Sequence, residues 1–367
     1  MPDWDFDGVV ESAVRTTGLS DFGGPQHEEG LRILVSDYRS RAGLTEVGSK
    51  RVRGALKGLL IARLMSQPAI ESHQQPIKRP IVVTGLPRSG TTLLQRLLTA
   101  DPHHQGLEQW LADLPQPRPP RTTWGEDPIF SAMQSGYESF HAANPELAGL
   151  HYSDAATHEE CWRLLQQAGT SCAFETLAHV PAYSEWLQSA DWGPAYRRHR
   201  QLLRLIGSNE PEKRWVLKNP SHLMALDALL EVYPDALVVV THRDPVTCVA
   251  SMCSLAAAST RGTSDVFVGD VIGRSQLDLL ARQRARYAAV RAEHPHSFLD
   301  VQYDDLVRDP VGITRDVTMA AGGDWSVESE AVVTAELERS RSGVRAPSHR
   351  YDLADFDLTS AQVLAAL

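Results

Sequence analysis

The sequence has few cysteines, and none is placed for a metal centre or a redox motif. Cys161, Cys172, Cys248 and Cys253 are the only four, no two form a CxxC pair, and no His/Cys cluster has zinc-site spacing. A zinc domain and a disulfide scaffold are therefore disfavoured, and we expect no metal at the functional site. The thiols are predicted to be buried, small hydrophobic side chains of a reduced protein.

Long apolar segments and excess positive charge are also lacking. No apolar run approaches the ~18–20 residues that cross a bilayer. The first residues, MPDWDFDGVV, lack the basic start and apolar core of a signal peptide. The net charge of −10 disfavours a nucleic-acid binder, because neutralising phosphates requires a basic surface. These features predict a cytoplasmic protein without a membrane span or a nucleic-acid partner, although a single basic cleft is compatible with them.

The chain of 367 residues, 42% of them hydrophobic, is long enough for one large α/β domain or for two domains. Short apolar segments predict buried parallel strands, and helical patterns lie between them. The strands are expected at Ile81–Thr84, Trp215–Lys218, Ala236–Thr241 and Phe298–Gln302. Alternating strands and helices predict an α/β fold with a parallel sheet flanked by helices.

Helical periodicity outside these units predicts two additions to the sheet. Residues 1–75 are expected to form an N-terminal helical extension, and residues 76–367 the main domain. Within that domain, residues from about 125 to 206 have a helical pattern and predict an insertion over the strand ends.

The segment IVVTGLPRSGTTLLQRLL, residues 81–98, has a strand, a glycine-containing loop and a helix in the order of a phosphate-binding loop. The glycine spacing GxxxxG allows backbone N–H groups to turn toward an anion, and the helix N-terminus adds positive potential. Thr91 occupies the position of the usual lysine, and Arg88 is the only cation in the loop. The loop is therefore expected to bind one compact tetrahedral oxyanion rather than a triphosphate chain.

A second segment, VVVTHRDPVTCVASMCSL, residues 238–255, repeats this arrangement. Arg243 follows a strand, Asp244 can cap the next helix, and Pro245 suits its first turn. Ser251 lies about two helical turns further on. Because open parallel sheets bind ligands at the carboxyl ends of their strands, Arg243 and Ser251 are candidates for a second oxyanion site.

Five segments in order resemble the bacterial sulfotransferase family: GLPRSGTT, WVLKNPSHL, HRDPVTCVAS, VQYDDLVRDP and SHRYDLADFDL. The resemblance covers residues from about 80 to 360. It implies a P-loop-like fold and an enzyme that transfers a sulfonate group from 3′-phosphoadenosine 5′-phosphosulfate (PAPS) and releases adenosine 3′,5′-bisphosphate (PAP). The 5′-phosphosulfate would be held by Arg88, Ser89, Gly90, Thr91 and Thr92.

The resemblance also implies that Arg243 and Ser251 bind the 3′-phosphate of the donor. Eukaryotic members close this site with a C-terminal RKG-type motif, which this chain lacks. The segment RSGVRAPSHR, residues 341–350, is the expected substitute, and its candidates are Arg345, Ser348, His349 and Arg350.

Transfer of a sulfonate group requires a cation at the leaving oxygen and a base at the acceptor hydroxyl. Lys218 ends a predicted strand and matches the lysine of the family. His222 follows it in KNPSH, whereas many family members have KxH. Glu160, in THEEC within the insertion, is an equal candidate for the base, and Glu108 in GLEQW is a third.

Six aromatic side chains mark the insertion, and they indicate either a core or an apolar binding wall: Trp162, Phe174, Tyr183, Trp186, Trp192 and Tyr196. An apolar, hydroxylated small molecule is therefore the expected acceptor. Two alternatives stay open, a phosphotransferase that uses ATP and a PAP-binding protein without catalysis. The sequence does not determine the oligomeric state, and a homodimer is compatible with it.

Overall fold

A computed structural model describes residues 3–143, 154–342 and 352–367. Five strands form one sheet: β1 (Ile81–Gly85), β2 (His104–Gln105), β3 (Arg214–Lys218), β4 (Leu237–His242) and β5 (Phe298–Gln302). All neighbouring strands pair in parallel, in the order β2-β3-β1-β4-β5. The predicted parallel sheet is confirmed.

The helices of the described residues are, in chain order, α1 (Phe6–Thr17), α2 (Glu28–Ser40), α3 (Glu46–Ile70), α4 (Thr91–Ala100), α5 (Gln109–Asp113), α6 (Pro128–Ala143), α7 (Trp162–Gln166), α8 (Ala173–Leu177), α9 (Pro181–Ser189), α10 (Gly193–Ile206), α11 (Leu226–Val232), α12 (Pro245–Ser259), α13 (Gly269–Glu293), α14 (Tyr303–Arg308), α15 (Pro310–Ala320), α16 (Val327–Ser342) and α17 (Ser360–Ala366). Short 3₁₀ turns cover Arg121–Glu126, Pro220–Met224, Pro295–Ser297 and Leu353–Phe356. None of these helices is long and apolar enough to cross a membrane.

Alternate side chains of β1 point to opposite faces of the sheet, and both faces are covered. Val82 belongs to the larger core, which it shares with most of the helices. Ile81 and Val83 face a second core with Leu94 and Leu98 of α4. Burial on both faces explains why the strands have continuous apolar sequences rather than alternating ones.

The strand register brings the carboxyl ends of β1, β3 and β4, which carry the candidate site residues, to one edge of the sheet. Val83 of β1 pairs with Lys218 of β3, and Gly85 pairs with Thr241 of β4. The phosphate-type loop after β1, the lysine at the end of β3 and Arg243 after β4 therefore emerge side by side.

The N-terminal helices are docked by two buried arginines that bind mostly carbonyl groups. Arg63 of α3 donates to the carbonyls of Phe22 and Gln167, at 2.7 Å each. Arg198 of α10 donates to the carbonyl of Arg63 at 3.1 Å. Burial lowers the pKa of Arg198 to about 9. The large core is continuous between these helices and the sheet.

The region from about 125 to 206 contacts both the sheet and the N-terminal helices. The N–H of Cys161 donates to the carbonyl of Lys218 at 2.9 Å. The THEEC segment, residues 157–161, therefore crosses the carboxyl end of β3. In contrast, α9 packs on α2, and α10 packs on α3 and α11. Part of the region therefore reaches the site, and part supports it from behind.

Candidate active site

The loop after β1 is held in an anion-binding shape by glycine and by contacts to β4. Gly90 has a φ of 96°, and a Cβ there would lie 2.9 Å from Leu306 Cδ2, so both conformation and space require glycine. The Ser89 hydroxyl donates to the Leu86 carbonyl at 2.6 Å and lies 2.5 Å from the Thr241 hydroxyl. Ser89 thus stabilises the loop with its side chain, and its backbone N–H also donates to the Leu86 carbonyl, at 3.3 Å.

The loop and the first turn of α4 carry cationic and hydroxyl groups. Arg88 is exposed and has a φ of 70°, an uncommon left-handed conformation for a residue other than glycine. The first N–H groups of α4 lack helical partners, as at every helix N-terminus. The hydroxyl groups of Thr91 and Thr92 belong to this first turn. The loop and the first turn of α4 therefore bring together the kinds of hydrogen-bond donor that a tetrahedral oxyanion requires.

The loop after β4 lies directly against the first loop. One guanidinium nitrogen of Arg243 donates to the carbonyl of Arg88 at 2.8 Å. Asp244 caps α12, accepting from the Thr247 hydroxyl at 2.6 Å and from the Thr247 N–H at 2.8 Å, and these hydrogen bonds hold the pKa of its carboxyl below the ordinary value. The two predicted oxyanion sites are thus adjacent. Ser251 is buried on the same helix.

The ring of Tyr303 contacts both of these loops. The guanidinium carbon of Arg243 lies 4.0 Å from the centroid of its ring. A Cβ on Gly90 would lie 3.2 Å from Tyr303 Cδ2, so the ring also borders the first loop. An isolated tyrosine at a strand end gives no sequence signal for this position. Its place follows from the sheet order, which sets β5 beside β4.

The lysine at the end of β3 joins the phosphate-type loop to the THEEC segment. Lys218 Nζ forms an ion pair with Glu160 Oε1 and donates to the Thr92 hydroxyl at 3.4 Å. The Lys218 side chain is 4% exposed, and that of Glu160 is 28% exposed. The structure therefore places a cation and a carboxylate beside the same loop, from residues far apart in the sequence.

The neighbouring carboxylates have other partners. Glu159 lies 3.6 Å from Arg163, and burial raises the pKa of its carboxyl. Glu108 is buried and accepts two hydrogen bonds from Arg118, at 2.9 and 3.1 Å. Both side chains are therefore held in ion pairs with arginines rather than with Lys218.

His222 lies in a fully buried cluster behind β3. Its Nδ1 shares a hydrogen bond of 2.8 Å with the Tyr196 hydroxyl, and its side chain has 0% exposure. His199 lies next to it and shares a hydrogen bond of 2.9 Å with the Tyr233 hydroxyl. Burial holds the pKa of His222 well below its ordinary value, so the ring is neutral at pH 7.

Burial of His199 predicts that the free energy of unfolding depends on pH. Burial lowers the pKa of His199 from 6.5 to about 3, so between these values only the unfolded chain binds the proton. The contribution of neutral His199 to the free energy of unfolding is therefore fully present above pH 6.5. It decreases as the pH falls, by about 1 kcal/mol per pH unit below pH 6. In urea unfolding between pH 7 and 5, His199→Gln should show a smaller decrease than the wild type. The exposed His296→Gln control should keep the wild-type slope; equal slopes for all three proteins would contradict the prediction.

The aromatic residues of the insertion belong mainly to the core. Tyr183 and Tyr196 are fully buried, and Phe174 and Trp192 are nearly so. Trp186 is half-buried and packs beside Gly30 of α2. Trp162 stacks under the guanidinium of Arg163, 4.5 Å from the ring centroid. The C-terminal candidates, Arg345, Ser348, His349 and Arg350, lie outside the described residues.

The four cysteines are buried and free, as predicted. Burial raises the pKa of Cys161 to about 12 and that of Cys248 to about 11. All four are therefore packing residues rather than nucleophiles.

A parallel α/β sheet with adjacent loops after β1 and β4 and a lysine–carboxylate pair at one edge is typical of proteins that handle a phosphate-type group. A model of the sulfotransferase family matches residues 80–327. The chain belongs to the sulfotransferase family. The recognition made from the sequence motifs is therefore confirmed.

Several relatives support this assignment. The crystal structure of sulfotransferase STF1 from Mycobacterium tuberculosis is 47% identical, with a TM-score of 0.91, over 99% of this chain and 98% of that one. Sulfotransferase STF9 from Mycobacterium avium is 26% identical, with a TM-score of 0.90, over 100% and 96%. The omega-hydroxy-beta-dihydromenaquinone-9 sulfotransferase Stf3 of M. tuberculosis and of M. bovis is 29% identical over 64% of this chain. The chain spans 61% of the length of these curated relatives.

Proposed function

We propose that the protein transfers a sulfonate group from PAPS to a hydroxyl of a small, apolar acceptor and releases PAP. The observation that carries this proposal is the position of Lys218. Its ammonium group contacts both a hydroxyl of the phosphate-type loop and the Glu160 carboxylate. A cation and a potential base thus flank the point where the loop would hold a transferable group.

The residues fit a donor with two separate phosphate-type groups. The backbone of Arg88–Thr92 would hold the 5′-phosphosulfate, with the Arg88 fork and the threonine hydroxyls as further donors. Arg243 and Ser251 would hold the 3′-phosphate. PAPS supplies an activated sulfonate with a good leaving group. Thr91 replaces the lysine of ATP-binding loops, and the site's buried cation comes from β3 instead.

In this proposal the protein stabilises charge and moves one proton. Lys218 stabilises negative charge on the oxygen that bridges sulfur and phosphorus while that S–O bond breaks. Glu160 accepts the proton of the acceptor hydroxyl as its oxygen bonds to sulfur. Glu160 is favoured over His222 because the ring of His222 has no exposed surface. It is favoured over Glu108 because the Glu108 side chain is only 8% exposed and accepts two hydrogen bonds from Arg118, whereas that of Glu160 is 28% exposed.

The acceptor is proposed to approach Glu160 along α6, within the region 125–206. Ile129, Phe130 and Met133 on this helix are only partly buried and pack beside the core. Burial raises the pKa of Tyr137, on the same helix, to about 12, and Glu159 and Arg163 are among the charges around it. These side chains would give the acceptor an apolar surface to approach along, toward the THEEC segment. The name of Stf3 describes a hydroxylated quinone lipid as acceptor for that relative, which agrees with this chemistry.

Calorimetry and transfer assays test the proposal. We expect PAP to bind about 10- to 100-fold more tightly than AMP, because the 3′-phosphate adds charge-assisted hydrogen bonds. ATP should bind weakly with or without magnesium. Labelled sulfonate from PAPS should pass to farnesol in preference to glucose. Tight, magnesium-dependent ATP binding would support a phosphotransferase instead, and tight PAP binding without transfer to any alcohol would support a non-catalytic PAP-binding protein.

A further inference from the structure

A cavity of about 450 Å³ lies between the carboxyl ends of β4 and β5 and the middle of α13. Its lining includes Arg243 and Tyr303, which follow β4 and β5, and Arg284 of α13. The cavity thus borders the Arg243 loop. Sequence motifs do not distinguish Arg284 from the other arginines of this helix.

Among the described residues, Arg284 is the arginine of α13 with no hydrogen bond or ion pair. Arg274 and Arg282 pair with carboxylates of their own helix, and Arg291 pairs with Asp300 at 2.5 Å. Arg286 donates to the carbonyl of Gln188 at 2.6 Å. Arg284 is exposed and faces the cavity, so its five N–H donors are free for a ligand.

The acidic and titratable groups of the cavity leave its two guanidinium groups largely unneutralised. Asp244 is engaged as the cap of α12. His242 is hydrogen-bonded to Asp300 at 2.6 Å. Asp304 is exposed, where water screens its charge. The remaining strong charges of the lining are Arg243, which follows β4, and Arg284 of α13.

We propose that Arg284 is a donor-selecting residue, whose guanidinium binds the 3′-phosphate of the donor from the side opposite Arg243. A phosphate monoester carries about −2 charge and three acceptor oxygens, so two forks can bind it from two directions. A ribose 3′-hydroxyl offers neither the charge nor the oxygens. This inference rests on the proposed function and adds a residue that the motifs did not indicate.

Calorimetry on the full chain tests Arg284 with PAP and AMP as the two probes. We expect Arg284→Ala to raise the dissociation constant of PAP about 10-fold and that of AMP less than 2-fold, because only PAP has the 3′-phosphate. Arg286→Ala is the matched control, since this arginine lies two residues away and is bound to Gln188, and it should change neither constant. Arg243→Ala is the positive control for PAP.

Three results would overturn the assignment. Arg284→Ala could leave PAP binding unchanged while Arg243→Ala weakens it; the proposed function would then stand and the role of Arg284 would fail. It could weaken PAP and AMP equally, which would place Arg284 at the shared part of the nucleotide. If the wild type does not prefer PAP to AMP, the proposed function itself fails.

Discussion

Glu160→Gln is expected to lower kcat about 10²- to 10⁴-fold, the contribution typical of a general base. The amide cannot accept the proton of the acceptor hydroxyl, although it keeps the shape of the side chain. PAP affinity should not decrease, because the substitution removes a negative charge next to the donor site. Single-turnover transfer of labelled sulfonate measures the chemical step, and calorimetry measures PAP binding.

Glu159→Gln is the matched control for Glu160. It changes the neighbouring residue, whose carboxylate lies by Arg163 rather than by Lys218. We expect its kcat to stay within a few-fold of the wild type. Glu160→Gln could instead retain nearly full kcat while a variant of His222 or Glu108 loses it. The base would then be one of those two residues, and the assignment of Glu160 would be wrong.

Lys218→Met is expected to lower kcat about 10²- to 10³-fold, as the loss of one transition-state donor does. Methionine preserves most of the apolar contacts of the buried lysine stem, and Glu160, which is 28% exposed, can be solvated when it loses its partner. PAP has no bridging oxygen to sulfur, so its affinity should change much less than kcat. Thermal unfolding would show that the variant is folded.

The double variant decides how the Lys218 result is understood. The double variant Glu160→Gln/Lys218→Met should lose less than the product of the single losses, because the residues contact each other and serve one step. A protein that only senses PAP would respond differently. Its Lys218→Met variant would alter affinity and nothing else, and the wild type would show no transfer to lose.

Most of the sheet could be predicted from the sequence because its strands are buried on both faces and have an unmistakable apolar composition. Strand β2 was missed, since His104–Gln105 is two polar residues long. Ser89 was predicted to help hold the 5′-phosphosulfate, a role that stays a prediction; the bonds of its hydroxyl to Leu86 and Thr241 were not predicted. Local sequence cannot show such long-range partners.

Only part of the candidate site could be predicted from the sequence, because its contacts also join residues that are far apart in the chain. Motifs indicated Lys218 and Glu160 separately, yet the contact between them depends on how the THEEC segment crosses β3. Helical spacing could not separate core aromatics from ligand contacts, because both produce the same pattern. Tyr183 and Tyr196 proved to be fully buried.

The hydrogen bond from Arg243 to the carbonyl of Arg88 has a consequence for turnover. This bond restrains the backbone of the loop that is proposed to hold the 5′-phosphosulfate. Its donor, Arg243, is the side chain that is proposed to hold the 3′-phosphate of the same nucleotide. Binding energy gained at the remote phosphate can therefore be used to align the reacting group. A donor analogue without the 3′-phosphate, adenosine 5′-phosphosulfate, would then suffer in kcat as well as in KM.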